Sequence, residues 1–125
     1  MPNTIALTGA NFKQVVDNND LVIVDFWATW CGPCKSFAPV FSAAADNNPD
    51  IVFAKVDTEA AQDLSSAFQI RSIPTLMVFK EQIVVFSQAG ALPPGNFDEL
   101  IAHAKKLDMD QVRAEVANQQ TSADT

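Results

Sequence analysis

Residues 21–35 read LVIVDFWATWCGPCK and place two cysteines between an apolar run and a helix. The run 21–27 is short and rich in Val and Ile, a pattern typical of a strand that is buried on both faces. A helix with an apolar stripe is predicted to follow over about 34–48. Pro39 lies inside that helix, where it removes a backbone donor and is expected to introduce a kink.

The rest of the chain alternates between strand and helix patterns. Further strands are predicted at 5–7, 51–56, 76–79 and 83–86, and further helices at 8–18, 60–68 and about 96–107. Strands that are separated by helices favour parallel pairing, whereas the last two strands flank a tight connection and favour an antiparallel hairpin. The sequence therefore predicts an α/β fold with a central mixed β-sheet and helices on both faces.

One domain is predicted over residues 1–107, followed by a C-terminal extension over 108–125. The extension begins with a helical apolar stripe, which either extends the preceding helix or begins a new one at Asp108, where the spacing of Asp108 and Gln111 suits a capping box. Residues 118–125 (NQQTSADT) are almost entirely polar. We expect a short helix in the extension and then a disordered tail.

The overall composition fits one globular domain and argues against several classes of function. The chain has 125 residues, 48% of them hydrophobic, so it can bury a core without metal or disulfide support. A formal net charge of −7 disfavours nucleic-acid binding. No export signal precedes Lys13, and no apolar run approaches the roughly 20 residues that span a bilayer. We expect a cytoplasmic monomer that binds neither nucleic acid nor membrane.

The two cysteines carry the strongest chemical signal in the sequence. A non-helical Cys31 just ahead of the helix can approach Cys34 to the roughly 3.5–4.5 Å between Cβ atoms that a disulfide needs. Unpaired N–H groups and partial positive charge at a helix N-terminus stabilise a thiolate, and Cys31 benefits more than Cys34, which lies inside the first turn. We therefore predict that Cys31 is the nucleophile and Cys34 the resolving thiol.

Two other interpretations of the cysteine pair stay open. A tetrahedral zinc site needs about four ligands, whereas this chain offers two cysteines and His103, and we expect no metal. His103 is better explained as an ordinary surface or half-buried histidine. A purely structural pair is uncommon in a reducing cytoplasm, where such cysteines are more often catalytic.

Residues 30–35, WCGPCK, resemble the thioredoxin active-site motif at every position. The lead-in 25–28 (DFWA) and the segment 70–76 (IRSIPTL) also resemble this family, and the resemblance extends over about residues 8–107. It implies a thioredoxin fold. It also implies a general protein-disulfide reductase that acts by dithiol–disulfide exchange and holds no cofactor of its own.

The resemblance further implies roles for three residues outside the cysteine pair. Asp25 lies in an apolar strand, where burial raises a carboxyl pKa and suits it to proton transfer. Lys55, in the neighbouring apolar strand, is its implied partner, and a structural ion pair without a catalytic part is the alternative. The Ile73–Pro74 bond is implied to be cis, which frees the Ile73 backbone to pair with a substrate strand. The alternative is a trans proline that opens the hairpin strand.

The implied substrate-binding surface is a flat apolar patch around Cys31. Its members are Trp30, Gly32, Pro33, Ile73, Pro74, Gly90 and Ala91. The sequence departs from the family pattern at two places, one beside the substrate groove and one in the hairpin turn. Ser72 replaces a frequent glycine beside the substrate groove, and the turn 80–82 (KEQ) lacks a glycine, which lowers local stability.

Electrons must reach the oxidised protein from outside, because the chain has no glycine-rich nucleotide-binding fingerprint. A separate thioredoxin reductase is the implied partner, and disulfide-containing proteins are the implied targets. The Gly32-Pro33 pair favours a reductant over the related oxidases and isomerases. A binding module that stabilises a partner without redox turnover is the alternative from another class, and a double-serine variant that kept all function would favour it.

Overall fold

The computed structural model describes residues 3–123, with side chains described through residue 118. The strands in this part of the chain are β1 (Ile5–Ala6), β2 (Leu21–Trp27), β3 (Val52–Asp57), β4 (Thr75–Lys80) and β5 (Ile83–Ala89). The helices are α1 (Phe12–Asp17), α2 (Gly32–Asn47), α3 (Gln62–Ala67), α4 (Pro94–Lys106) and α5 (Met109–Ala123). None of the helices within residues 3–123 combines the length and apolar character that crossing a membrane requires.

The strands form one sheet in the order β1-β3-β2-β4-β5. β3 is parallel to β1 and β2, whereas β4 is antiparallel to β2 and β5. This confirms the predicted mixed sheet. β2 lies at the centre, and its side chains from Leu21 to Phe26 are all buried, as the apolar run predicts.

The sheet separates two hydrophobic cores. α2 and α4 cover one face, where the largest buried side chains are Ile23, Phe37, Phe41, Phe53 and Phe97. α1 and α3 cover the other face, which buries Val16, Val24, Phe26, Leu64 and Phe79. Helices on both faces are therefore confirmed, and the cysteine pair lies at the start of α2 on the first face.

The first four helices begin two to four residues from their predicted starts, and two of these shifts have a clear local cause. α2 begins at Gly32, ahead of the predicted start, because Pro33 is well tolerated in a first turn, where its missing N–H has no partner to lose. α1 begins only at Phe12, because residues 9–11 form a turn. In that turn the Asn11 side chain accepts a hydrogen bond from the Thr8 N–H at 2.7 Å.

The turn between β4 and β5 has the geometry that glycine favours, but no glycine. Glu81 and Gln82 have φ angles of 49° and 71°. The Glu81 N–H donates to the carbonyl of Asp20 at 2.8 Å. The Glu81 carboxylate also pairs with Arg113 of α5 at 2.7 Å. Contacts with α5 and with the residue before β2 therefore stabilise the turn.

α5 is a separate helix that begins after Asp108, one of the two predicted arrangements, and it continues further than predicted. The Asp108 carboxylate accepts hydrogen bonds from the N–H groups of Asp110 and Gln111 at 3.0 and 3.3 Å, which confirms its capping position. The backbone stays helical to Ala123, unlike the expected disordered tail, because residues 109–123 include no Gly or Pro to end a helix. Residues 124–125 of that tail lie outside the described part. A domain boundary at residue 107 stays a prediction.

Candidate active site

Cys31 and Cys34 form a disulfide at the N-terminus of α2, with their Cα atoms 5.3 Å apart. Cys31 is the N-cap and has an extended backbone, with φ −90° and ψ 113°, whereas Cys34 lies in the first turn. The Cys31 Sγ accepts a hydrogen bond from the Cys34 N–H at 3.2 Å. The sulfur of Cys31 thus occupies the place of a capping oxygen, which is the geometry expected from the spacing.

Exposure does not distinguish the two cysteines, because only 4% of Cys31 and 3% of Cys34 is accessible in the disulfide form. Their neighbours do distinguish them. The Cys31 Sγ lies 3.7 Å from the carbonyl oxygen of Ile73, in the segment that precedes β4. Cys34 instead lines a groove of about 230 Å³ together with Trp27 and Lys55.

Asp25 is fully buried, and neither of its carboxylate oxygens has a hydrogen-bond partner among the described residues. Side chains alternate along a strand, so Asp25 shares the sheet face of Ile23, which α2 covers. Burial raises the pKa of the Asp25 carboxyl from 3.8 to about 6, and the positive charge of Lys55 partly offsets this rise.

Lys55 lies directly opposite Asp25 in the parallel pairing of β2 and β3. Its ammonium group stands 4.9 Å from the centroid of the Trp27 ring. No hydrogen bond joins the Asp25 carboxylate to Lys55 within the described chain, so the two charges interact through space. Lys55 therefore links the buried carboxyl to the groove that Cys34 lines.

The Ile73–Pro74 peptide bond is cis, as the resemblance implies. The Pro74 carbonyl accepts a hydrogen bond from the Gly90 N–H at 2.8 Å. Gly90 has a φ of 104°, which residues with a side chain rarely adopt. Ile73 packs against the cysteine pair. The structure thus brings the start of β4 and the end of β5 close to the disulfide.

Trp30 is 68% exposed and directly precedes Cys31 in the chain. Gly32 and Pro33 are exposed in the first turn of α2. Gly90 and the following residue, Ala91, are exposed at the end of β5, where Gly90 adjoins Pro74. The predicted members of the patch thus come from three separate segments. Among them Ile73 is half-buried and Pro74 is buried, and the patch itself stays a prediction. His103 lies exposed on α4.

Glu59 is a residue of this site that the sequence analysis did not identify. Its carboxylate accepts a hydrogen bond from the indole N–H of Trp30. Strand register is the signal that predicts this contact: β2 and β3 are parallel with Trp27 opposite Asp57, so the residues that follow both strands leave the sheet side by side. Sequence patterning alone does not supply that register.

A redox-active cysteine pair at a helix N-terminus, on a mixed sheet, with a cis proline next to Ile73 and a buried carboxyl in the strand that precedes the pair, defines a thiol–disulfide oxidoreductase. The family model of thioredoxin matches residues 3–106, and the chain belongs to the thioredoxin family. It is a protein-disulfide oxidoreductase that acts by dithiol–disulfide exchange through Cys31 and Cys34.

The similarity to individual thioredoxins extends over most of the chain. A putative thioredoxin 2 of Streptomyces coelicolor is 56% identical over 123 residues, which cover 98% of this chain and 92% of that protein. A mutant thioredoxin of Halobacterium salinarum matches with a TM-score of 0.78 and 32% identity, over 86% of this chain and 96% of that one. A Plasmodium falciparum thioredoxin matches with a TM-score of 0.75 and 35% identity, over 80% and 98%.

Proposed function

We propose that Cys31 is the attacking thiolate and Cys34 the resolving thiol in the reduction of protein disulfides. The observation that carries this proposal is the N-cap position of Cys31, whose Sγ accepts the Cys34 N–H at 3.2 Å. In the dithiol form the same N–H and the partial positive charge of the helix terminus stabilise a thiolate at Cys31. Cys34, inside the turn, gains less from both.

The reaction would consist of two exchanges. The Cys31 thiolate attacks one sulfur of the target disulfide, so that a Cys31–target bond forms and the other target sulfur leaves as a thiolate. Cys34 then loses its proton and attacks the Cys31 sulfur. This step closes the Cys31–Cys34 disulfide and releases the reduced target.

Asp25 is our proposed proton acceptor for Cys34. A carboxyl whose pKa lies at about 6 is able both to take up and to return a proton near neutral pH. Its position on the face that α2 covers supports this role, and so does the groove shared by Cys34 and Lys55. Lys55 would act through Asp25, because its charge limits the rise of the carboxyl pKa.

The apolar patch formed by Trp30, Gly32, Pro33, Ile73, Pro74, Gly90 and Ala91 is our proposed contact surface for target proteins. No hydrogen bond within residues 3–123 engages the Ile73 N–H. An extended target segment has room to pair with the Ile73 backbone there, next to the Cys31 sulfur.

A separate thioredoxin reductase is the proposed electron donor. We also propose that the protein acts as a monomer in the cytoplasm, where the reducing poise keeps its cysteines in the dithiol form. Turnover with such a reductase and a nicotinamide cofactor tests the electron donor, and sedimentation of the purified protein tests the monomeric state. Thiol trapping in fractionated cells tests the cytoplasmic location and the dithiol form.

A matched pair of serine variants tests the cysteine roles. Pre-reduced Cys34→Ser is expected to accumulate a mixed disulfide with a model protein disulfide on non-reducing gels, whereas Cys31→Ser accumulates almost none. Equal trapping by both variants would contradict the assignment of roles. Reduction of the model disulfide by the unmodified protein, with dithiothreitol as electron source, is the control, and its absence would contradict the proposed reductase.

A further inference from the structure

A polar groove of about 530 Å³ runs along α3 and the segment that leads to Ile73, and it has no part in the reaction described above. Side chains of α3 and of the segment between α3 and β4 line it, among them Gln62, Ser66, Gln69 and Arg71. The side chains of these four residues form no hydrogen bond or ion pair within the described part of the chain. The groove therefore offers free donors to a ligand.

No carboxylate of the described residues pairs with the Arg71 guanidinium, and the acidic residues from the end of β3 to the first turn of α3 face other groups. The Asp57 carboxylate accepts hydrogen bonds from backbone N–H groups that follow it in the chain, among them that of Glu59 at 3.0 Å. Glu59 accepts from the indole of Trp30. The Asp63 carboxylate packs against Gly9, where it fills the space that a Cβ would need. An exposed cation is thus preserved in a chain whose net charge is −7.

Arg71, which lines the groove, lies in the segment that leads to the proposed target-binding residue Ile73. Arg71 precedes Ile73 by two residues, and the Ile73 carbonyl oxygen stands 3.7 Å from the Cys31 sulfur. Because consecutive Cα atoms are about 3.8 Å apart, the Cα of Arg71 lies within about 8 Å of that of Ile73. A target strand beside Ile73 would bring a side chain about two residues from its reacting cysteine within reach of Arg71.

We propose that this groove is a specificity subsite in which Arg71 binds an acidic side chain about two residues from the reacting cysteine of the target. The inference rests on the proposed function, because it assumes that targets pair beside Ile73. Gln62, Ser66 and Gln69 supply neutral donors around the carboxylate. The negative charge of the rest of the protein repels acidic targets, so a local cation selects which acidic segments come close to the disulfide.

Two disulfide peptides that differ only in Glu or Gln two residues from one cysteine test the subsite. Pre-reduced protein is mixed with each peptide, and the rate of a single turnover is followed through tryptophan fluorescence. We expect the glutamate peptide to react about three-fold faster at low salt, as for one partly exposed ion pair. The ratio should approach one at high salt, where the charges are screened.

Arg71→Gln is expected to bring the ratio of the two rates to about one, and Arg71→Glu to bring it below one. Lys106→Gln is the matched control, since Lys106 is an exposed cation at the end of α4, outside both the groove and the target-contact patch. This variant should keep the ratio. A ratio of one in the unmodified protein, or a ratio that survives Arg71→Gln, would overturn the subsite alone. Failure to reduce either peptide would overturn the proposed function together with the subsite.

Discussion

Replacing Asp25 by asparagine removes a buried charge while keeping nearly the same shape. In the native protein the carboxyl is fully buried, lacks a hydrogen-bond partner among the described residues, and has its pKa raised from 3.8 to about 6. At about 1.36 kcal/mol for each pKa unit, this rise corresponds to about 3 kcal/mol. Asp25→Asn should therefore increase the free energy of unfolding of the oxidised protein by about 1–3 kcal/mol near neutral pH, because the buried amide also lacks a partner and offsets part of the gain.

The pH dependence follows from the direction of the pKa change. Below pH 3.8 the carboxyl is protonated in both the folded and the unfolded state, so no charge is buried. Between 3.8 and about 6 the unfolded state ionises while the folded state stays protonated, and the folded protein loses stability as the pH rises. Above about pH 7 the loss is complete and constant. The advantage of Asp25→Asn should thus be small at about pH 4 and full at about pH 7.5.

Urea denaturation of both oxidised proteins across this pH range measures the effect directly. Asp98→Asn is the matched control, because Asp98 is an exposed carboxyl on α4 and its replacement should change the unfolding free energy little at any pH. The same Asp25→Asn protein should reduce target disulfides more slowly near neutral pH. A stability difference that does not vary with pH, or a clear loss of stability, would refute the reasoning from burial.

Two further predictions concern parts of the fold away from the cysteines. Deleting residues 109–125 should leave kcat/KM for disulfide reduction within about two-fold and lower the unfolding free energy by about 1.5–3 kcal/mol, because the buried Met109 is lost. A large rise in KM would instead assign the extension to a partner-binding surface. Gln82→Gly should raise the unfolding free energy by about 1 kcal/mol, since φ at Gln82 is 71°. Gln88→Gly, within β5, should lower it, and a gain at both positions would contradict the strain in the turn.

The sequence was sufficient to predict the centre of the fold because local and global signals agree there. The run 21–27 is buried in β2 as its composition predicts, and the cysteines occupy the N-cap and first turn of α2 as their spacing predicts. The tight connection between the last two predicted strands correctly indicated an antiparallel hairpin, whose turn residues Glu81 and Gln82 have positive φ angles although neither is glycine. Each of these inferences depends on residues close together in the chain.

Contacts between distant segments could not be predicted in the same way. The hydrogen bond between Trp30 and Glu59 depends on the register of β2 against β3, and the pairing of Arg113 with Glu81 depends on how α5 folds back over the hairpin. The unpaired charge of Arg71 is likewise visible only in the structure, where no carboxylate of the described residues pairs with it. Such features require three-dimensional positions, since no periodic pattern encodes them.

The difference between the two cysteines also depends on three-dimensional contacts, so their chemistry is set by their neighbours. Both sulfurs are almost equally shielded, at 4% and 3% exposure, so accessibility alone would make them equivalent. Cys31 has an N–H of the first turn on one side and the Ile73 carbonyl on the other, whereas Cys34 lines a groove with Lys55. In the proposed mechanism the first exchange needs a stabilised thiolate beside the target, and the second needs a base beside a shielded thiol. One helical turn between the residues is enough to place each sulfur in the surroundings that its own step requires.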